Sequence, residues 1–219
     1  LSSAGAPKAR SAGTNCWAYL VARIGWNDLL DYEITGDAMK KIPTIFKRNP
    51  ENMKEIFPEP HKDCGWVFDG EGVATRKYDG TCCLIDGGKM YKRREIKNGT
   101  PPPYGFVEAD HDEVTGKVVG WVPVEPTNAE DKWHLSAFKE GMEDGTYELL
   151  GPKIQGNPEG LTEHVLLKHS EAGHFAGVPR TFDGLREWME GIDIEGIVFH
   201  HQDGRMAKIK KRDYGQKRK

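Results

Sequence analysis

The sequence predicts an α+β fold built on antiparallel sheets, and three observations carry that expectation. Short β-prone runs recur from Val73 to the end of the chain, Asp-Gly turn signals punctuate them, and only Thr181 to Met189 among the later segments has a clear helical stripe. The chain has 219 residues, 37% hydrophobic and 30% charged, with six Trp, seven Tyr and eight Phe, enough apolar mass for a packed core. No run approaches the roughly 20 apolar residues needed to span a bilayer, so no membrane segment is expected.

Taken in order, the first 14 residues, LSSAGAPKARSAGT, are small and polar and lack the apolar stretch of a secretory signal, so they read as a loose leader. From Asp37 to Phe57 the apolar residues Met39, Ile42, Ile45, Phe46, Met53, Ile56 and Phe57 fall mostly three or four apart. That spacing predicts helical stretches broken at Pro43 and Pro50. Residues 1–60 are therefore expected to form a partly helical N-terminal extension, and residues 61–219 the main domain with a basic C-terminal end.

VATRKYDGTCCLI (73–85) is β-prone, Asp86-Gly87-Gly88 is a turn and KMYKRREI (89–96) runs back, which together predict a hairpin. Further strands are expected at 117–124, 146–150 and 163–169. In the helix expected from Thr181 to Met189, Phe182, Leu185, Trp188 and Met189 share one side. A last hairpin pairs IEGIVFH (194–200) with RMAKIKK (205–211) across HQDG.

The balance of 31 Lys+Arg against 34 Asp+Glu gives a net charge of −3, which by itself suggests no nucleic-acid partner. It hides an asymmetry: residues 205–219 hold eight basic residues and one acidic residue, a charge of +7, which leaves −10 for residues 1–204. Cys16, Cys64, Cys82 and Cys83 show neither a CxxC pair nor a partnered His spacing, so no zinc site or disulfide framework is signalled. A reducing compartment inside the cell, cytoplasmic or nuclear, fits that usage. Cys82 and Cys83 are expected in the core, and His111, His200 and His201 in turns or on the surface.

The residues that can carry chemistry cluster in two places. Lys77-Tyr78-Asp79-Gly80 sets a lysine two residues before an acid and beside a glycine that permits close backbone approach. On the last hairpin, Glu195 precedes one strand, and strand alternation places Lys208 and Lys210 on one face of the other. If that face looks toward Lys77, three ammonium groups converge beside a carboxylate, a combination suited to a nucleoside triphosphate.

In order and direction these residues resemble the signature of the covalent nucleotidyltransferases, the superfamily of ATP-dependent ligases and messenger-RNA capping enzymes. Lys77-Tyr78-Asp79-Gly80 resembles motif I, Arg94 the motif Ia arginine, Glu148 in YELLG the acid of motif III, Glu195 in EGIVFH motif IV, and Lys208 with Lys210 motif V. Arg94 is chosen over Arg93 because Met90, Lys92 and Arg94 share a face. KYDGTCC, YELLGPKIQGNPEGL and IEGIVFHHQDGRMAKIKKRDYG together resemble more closely the ATP-dependent RNA ligases that include the vertebrate enzyme joining 5′-phosphate to 3′-hydroxyl ends. That resemblance implies a nucleotidyltransferase (adenylation) domain whose antiparallel sheets flank the nucleotide, and no OB domain, since nine residues follow Lys210.

It also implies a mechanism. Lys77 would attack the α-phosphate of ATP and form lysyl-AMP, its pKa lowered by Lys208, Lys210, Arg94 and a bound divalent metal. Arg94 and Glu148 would hold the ribose, Lys208 and Lys210 the phosphates, and Glu148 with Glu195 a magnesium ion, with manganese as a substitute. The substrates would be RNA 5′-phosphate and 3′-hydroxyl ends, and the enzyme a monomer. The purine-stacking residue is left open: HVLLKHS (164–170) offers only His164 and His169, and Phe175, Tyr78 or Trp121 could substitute. DNA nick sealing, guanylyl transfer and a catalytically silent RNA-binding module are the other readings of the same residues.

Overall fold

The computed structural model describes residues 39–112 and 116–218. Among them the chain runs β1 (Phe46–Arg48), β2 (Ile56–Pro60), α1 (Gly65–Phe68), β3 (Val73–Lys77), β4 (Thr81–Asp86), β5 (Lys89–Ile96), β6 (Val107–Asp112) and β7 (Lys117–Pro123). It continues through α2 (Lys132–Ala137), β8 (Gly145–Leu150), β9 (Val165–Lys168), β10 (His174–Phe175), α3 (Phe182–Glu190), β11 (Gly196–His200) and β12 (Met206–Lys210). The strands form antiparallel sheets in the orders β10-β3-β11-β12 and β6-β7-β5-β4-β8-β9, with β1-β2 as a small ribbon. The α+β expectation agrees with this arrangement. Among the described residues no helix is long and apolar enough to cross a membrane.

Each larger sheet covers its own core. Under the four-stranded sheet, Ala74, Ile197, Phe199, Ala207 and Ile209 meet Leu185 and Met189 of α3 and Trp66 and Val67 of α1. Under the six-stranded sheet, Cys83, Ile85, Met90, Tyr147 and Leu149 pack with Ala137 of α2 and with Ile154. Each fully buried aliphatic side chain contributes roughly 1.5–3 kcal/mol. Thr181 accepts the Gly184 N–H and so caps α3, which begins one residue inside the predicted span.

The run 73–85, expected as one arm of a hairpin, is divided. β3 joins one sheet and β4 the other, and the chain crosses between them at Tyr78-Asp79-Gly80. Gly80 is needed there, because a Cβ would lie 2.3 Å from the Leu149 carbonyl oxygen and 2.7 Å from the Glu148 Cγ. The hairpin proper is β4-β5, turning at Gly87 and Gly88, both with positive φ.

The helices expected between 37 and 57 are not present in the described part of that span, which holds strands and turns. Asn49 and Asn52 each accept a backbone N–H two residues ahead, from Glu51 and Lys54, and this turn chemistry overrides the three-to-four spacing of the apolar residues. The described part of the expected extension, residues 39–60, contributes to the core beside the four-stranded sheet. Residues 43–45 run along the outer edge of β12, with a Thr44–Lys208 bridge and Lys208 N–H donating to Pro43, and Ile45 and Phe46 enter the core. The rest of the expected extension, residues 1–38, lies outside the described residues.

Candidate functional site

The pairing register of the four-stranded sheet builds one wall of the site. Lys77, Gly196 and Lys210 are direct cross-strand neighbours, as are Thr75, Val198 and Lys208 in the next row on the same face. Gly196 lets the middle strand close up: a Cβ would sit 2.2 Å from the Ile209 carbonyl oxygen and 2.8 Å from the Lys210 Cα. Glu195, at the mouth of β11, accepts Lys77 Nζ at 2.6 Å on one carboxylate oxygen and Lys210 Nζ at 2.5 Å on the other.

These contacts set the protonation. Burial, the largest influence on Lys77, pushes its pKa down, but the carboxylates of Glu195, Glu148 and Asp79 outweigh it and hold the ammonium above the ordinary lysine range. The lowered pKa expected for Lys77 is therefore reversed in the resting protein, because its nearest charge is an anion. The depressed lysines are its neighbours. Burial, then Lys210 and Lys77, bring Lys208 down to about 8, and burial with Lys77 lowers Lys210. Although burial pulls the other way, the two lysines keep the Glu195 carboxyl below its usual range.

The second wall comes from the six-stranded sheet. Cys82 and Glu148 are directly paired on β4 and β8. Glu148 accepts the Gly80 N–H at 3.0 Å on one oxygen, and its other oxygen lies 2.9 Å from His169 Nε2. Between the walls lies a cavity of about 500 Å3 lined by Lys77, Lys208, Lys210, Cys82, Glu148 and His169 among others.

Arg93, not Arg94, reaches this cavity, where it donates to the Met39 carbonyl and lies 5.3 Å from the Trp121 ring centroid. The reasoning that Lys92 and Arg94 share a face is sound, but that face is the one from which Lys92 pairs with Asp131, beside α2; Arg94 is exposed. Alternation from Cys82 through its β5 neighbours assigns Arg93 to the cavity side.

Both carboxylates of the expected magnesium pair are engaged by protein groups. Glu195 is held between two ammonium groups, and Glu148 is engaged by Gly80 and His169. Cys82 lines the cavity while Cys83 fills the core, so only one of the two cysteines matches its expected place. His200 is half-buried in the cavity wall, 3.0 Å from Thr75 Oγ1, rather than in a turn, whereas His201 pairs with Glu71 and Asp203 beside the turn and His111 is exposed. Of the two rings offered by 164–170, His164 stacks on Trp133 with centroids 4.7 Å apart, and His169 is the one at the cavity.

A second groove, of about 590 Å3, continues from Lys208 and Lys210 along residues 41–48. Lys41, Lys47, Arg48 and Arg212 line it, and among the described residues no carboxylate does.

No protein-family model matches the chain. It is 31% identical to RNA ligase 1 of Pongo abelii over 95% of this chain and 67% of that protein. It is 30% identical to RNA ligase 1 of Rattus norvegicus over 82% of each, and 23% identical to RNA ligase 1 of Danio rerio over 83% of this chain and 82% of that protein.

Proposed function

Because the chain belongs to the RNA ligase 1 family, we propose that it is an ATP-dependent RNA ligase that joins 5′-phosphate and 3′-hydroxyl ends through lysyl-AMP at Lys77. The observation that carries this reading is the row Lys77–Gly196–Lys210, with Lys208 one row away, on the wall facing Glu148 and His169 across a nucleotide-sized cavity.

The resting ammonium of Lys77 is unreactive, and Glu195 positions it; the amine becomes a nucleophile when its proton passes to solvent. Its nitrogen then bonds the α-phosphorus of ATP as the bond to the β-phosphate oxygen breaks and pyrophosphate departs. Lys208 and Lys210 neutralise the charge that develops on the transferring group. Glu148 and Arg93 would hold the ribose and His169 would face the purine, with Val198 on the opposite wall. A 5′-phosphate oxygen of RNA next takes AMP from Lys77, restoring the amine. A 3′-hydroxyl then attacks that phosphate and expels AMP, which seals the strand.

Glu195 pairs with two lysines, so Glu148 and Glu195 would have to exchange protein partners to hold a magnesium ion directly. Magnesium, or manganese in its place, would arrive on the phosphates of the nucleotide, a common mode for this ion. The groove of Lys41, Lys47, Arg48 and Arg212 would receive RNA phosphates beside the site. A reducing compartment, cytoplasm or nucleus, would suit the free Cys64, Cys82 and Cys83 among the described residues.

Incubation with magnesium and ATP labelled at the α-phosphate is expected to label the protein covalently, and the label should pass to 5′-phosphorylated RNA and leave as AMP when the strand is sealed. A protein that never takes up label would overturn the enzyme reading. Label taken from GTP in preference to ATP would move it to guanylyl transfer, and sealing of DNA nicks alone to DNA ligation.

A further inference from the structure

The three side chains at the floor of the nucleotide cavity, Cys82, Glu148 and His169, offer a thiol, a carboxylate and an imidazole whose donor atoms all lie within 4.8 Å of one another. They come from separate parts of the chain. Cys82 on β4 stands directly opposite Glu148 on β8, and His169 follows β9, which pairs with β8. The sequence carries none of the spacings that mark a zinc site, so the sheet alone brings these donors together.

From this geometry we propose that Cys82, Glu148 and His169 form a transition-metal site, with zinc as the fitting ion, and that the metal and the nucleotide exclude each other from the cavity. Zinc bonds to sulfur, nitrogen and oxygen are about 2.0–2.3 Å, so a tetrahedral ion holds its ligands roughly 3.3–3.8 Å apart. The Glu148–His169 pair at 2.9 Å needs only to spread slightly, and the third donor already lies within reach. Thiolate with imidazole selects zinc over magnesium, which prefers oxygen ligands alone.

Three protein ligands leave the fourth position open, as in catalytic rather than structural zinc sites. That position faces the space in which the nucleotide would lie, because all three residues line the same cavity. As the zinc–sulfur bond forms, the thiol proton passes to solvent, and Glu148 and His169 turn from their mutual hydrogen bond to the ion. Both would then be lost to the nucleotide. Cys83, on the opposite face of β4, is packed in the core and cannot replace Cys82.

Cobalt, which substitutes for zinc and absorbs when bound to thiolate, gives a readout that needs no ligase activity. The full chain is expected to take up one equivalent of cobalt with a sulfur charge-transfer band. Zinc should bleach that band, and ATP should weaken cobalt binding by more than its own complexation of free cobalt accounts for. Cys82→Ser should remove the band and weaken zinc binding, measured by calorimetry, at least tenfold, and His169→Gln should weaken it without removing the band.

In the labelling assay, zinc should suppress adenylation of the wild-type protein several-fold more than it suppresses that of Cys82→Ser, each compared with the same protein without zinc. No cobalt band in the wild type, a band that survives in Cys82→Ser, or zinc and ATP bound together without competition would overturn the proposal. Because metal uptake is read directly, those failures leave the ligase reading standing, and a protein that binds zinc but never labels would fail only that reading.

Discussion

The two walls of the cavity are made by different means. On the four-stranded sheet, Lys77, Lys208 and Lys210 sit on neighbouring strands in direct register, and Glu195 bridges two of them at 2.6 and 2.5 Å. On the six-stranded sheet, Cys82, Glu148 and His169 come from distant segments, and the link found between side chains is the 2.9 Å contact of Glu148 with His169. One wall is a strongly coupled charge array set by strand pairing. The other is a softer, polar surface whose members meet only when the sheet closes. In the proposed mechanism the cationic phosphate chemistry is concentrated on one sheet, and the opposing sheet would recognise the rest of the nucleotide.

Substitutions that act on one wall at a time sharpen this contrast. The largest effect is expected from Lys77→Ala, which should take covalent labelling by α-labelled ATP to background, since no other lysine occupies the β3 end of the row. Glu195→Gln comes next. It leaves two partly buried ammonium groups without their anion, at a cost of about 3 kcal/mol. For a chain of this size that corresponds to a fall in Tm of roughly 6–12 °C in a thermal melt. Glu148→Gln on the other wall, where no lysine depends on the carboxylate for its ion pair, should cost clearly less.

The two adjacent arginines divide the faces of β5. Arg93→Ala should slow adenylation about 10- to 100-fold, the order expected for one charged hydrogen bond to the nucleotide. Arg94→Ala should leave the rate within about twofold, as expected for an exposed residue on the other face. Equal losses from both would remove the distinction between the faces.

Lys208 supplies a stability prediction with a definite sign. Its pKa is lowered to about 8 by burial and by its lysine neighbours, so folding disfavours its charged form. Between about pH 8 and the ordinary lysine pKa of 10.5 the unfolded chain holds a proton that the folded chain has lost, and the stability contribution of this group rises with pH across that window. Lys208→Met should therefore be more stable than wild type near pH 7, by about 2 kcal/mol in urea unfolding, with the gap closing as the pH approaches 10.5. The same variant should lose adenylation activity, since the charge that strains the fold is the one proposed to meet the phosphate. The smallest effect is expected at Arg212, exposed in the basic groove: Arg212→Ala should reduce the salt slope of RNA binding by about one, read from affinities over a salt series.

Sequence reading reached these regions unequally, and the reason is local order. The β11-β12 hairpin and the alternation of Lys208 with Lys210 are short-range patterns, and the structure keeps both. The side of β5 that faces the cavity was not legible, because a strand shows which residues share a face without showing what that face meets; hence Arg94 in place of Arg93. Residues 39–57 misled through apolar spacing, since Asn49 and Asn52 close turns that a periodicity argument does not count. His169 and Cys82 give no sequence signal as partners of Glu148, because their proximity depends on pairing between β4, β8 and β9.

Lys77 is proposed to carry AMP, held ready by Glu195 and flanked by Lys208 and Lys210. Peptide mass spectrometry of the full chain after brief incubation with ATP and magnesium tests it most directly. A single adenylylated peptide is expected, with the modification on Lys77. AMP on Lys208 or Lys210 instead, or no adenylylated peptide at all, would contradict it.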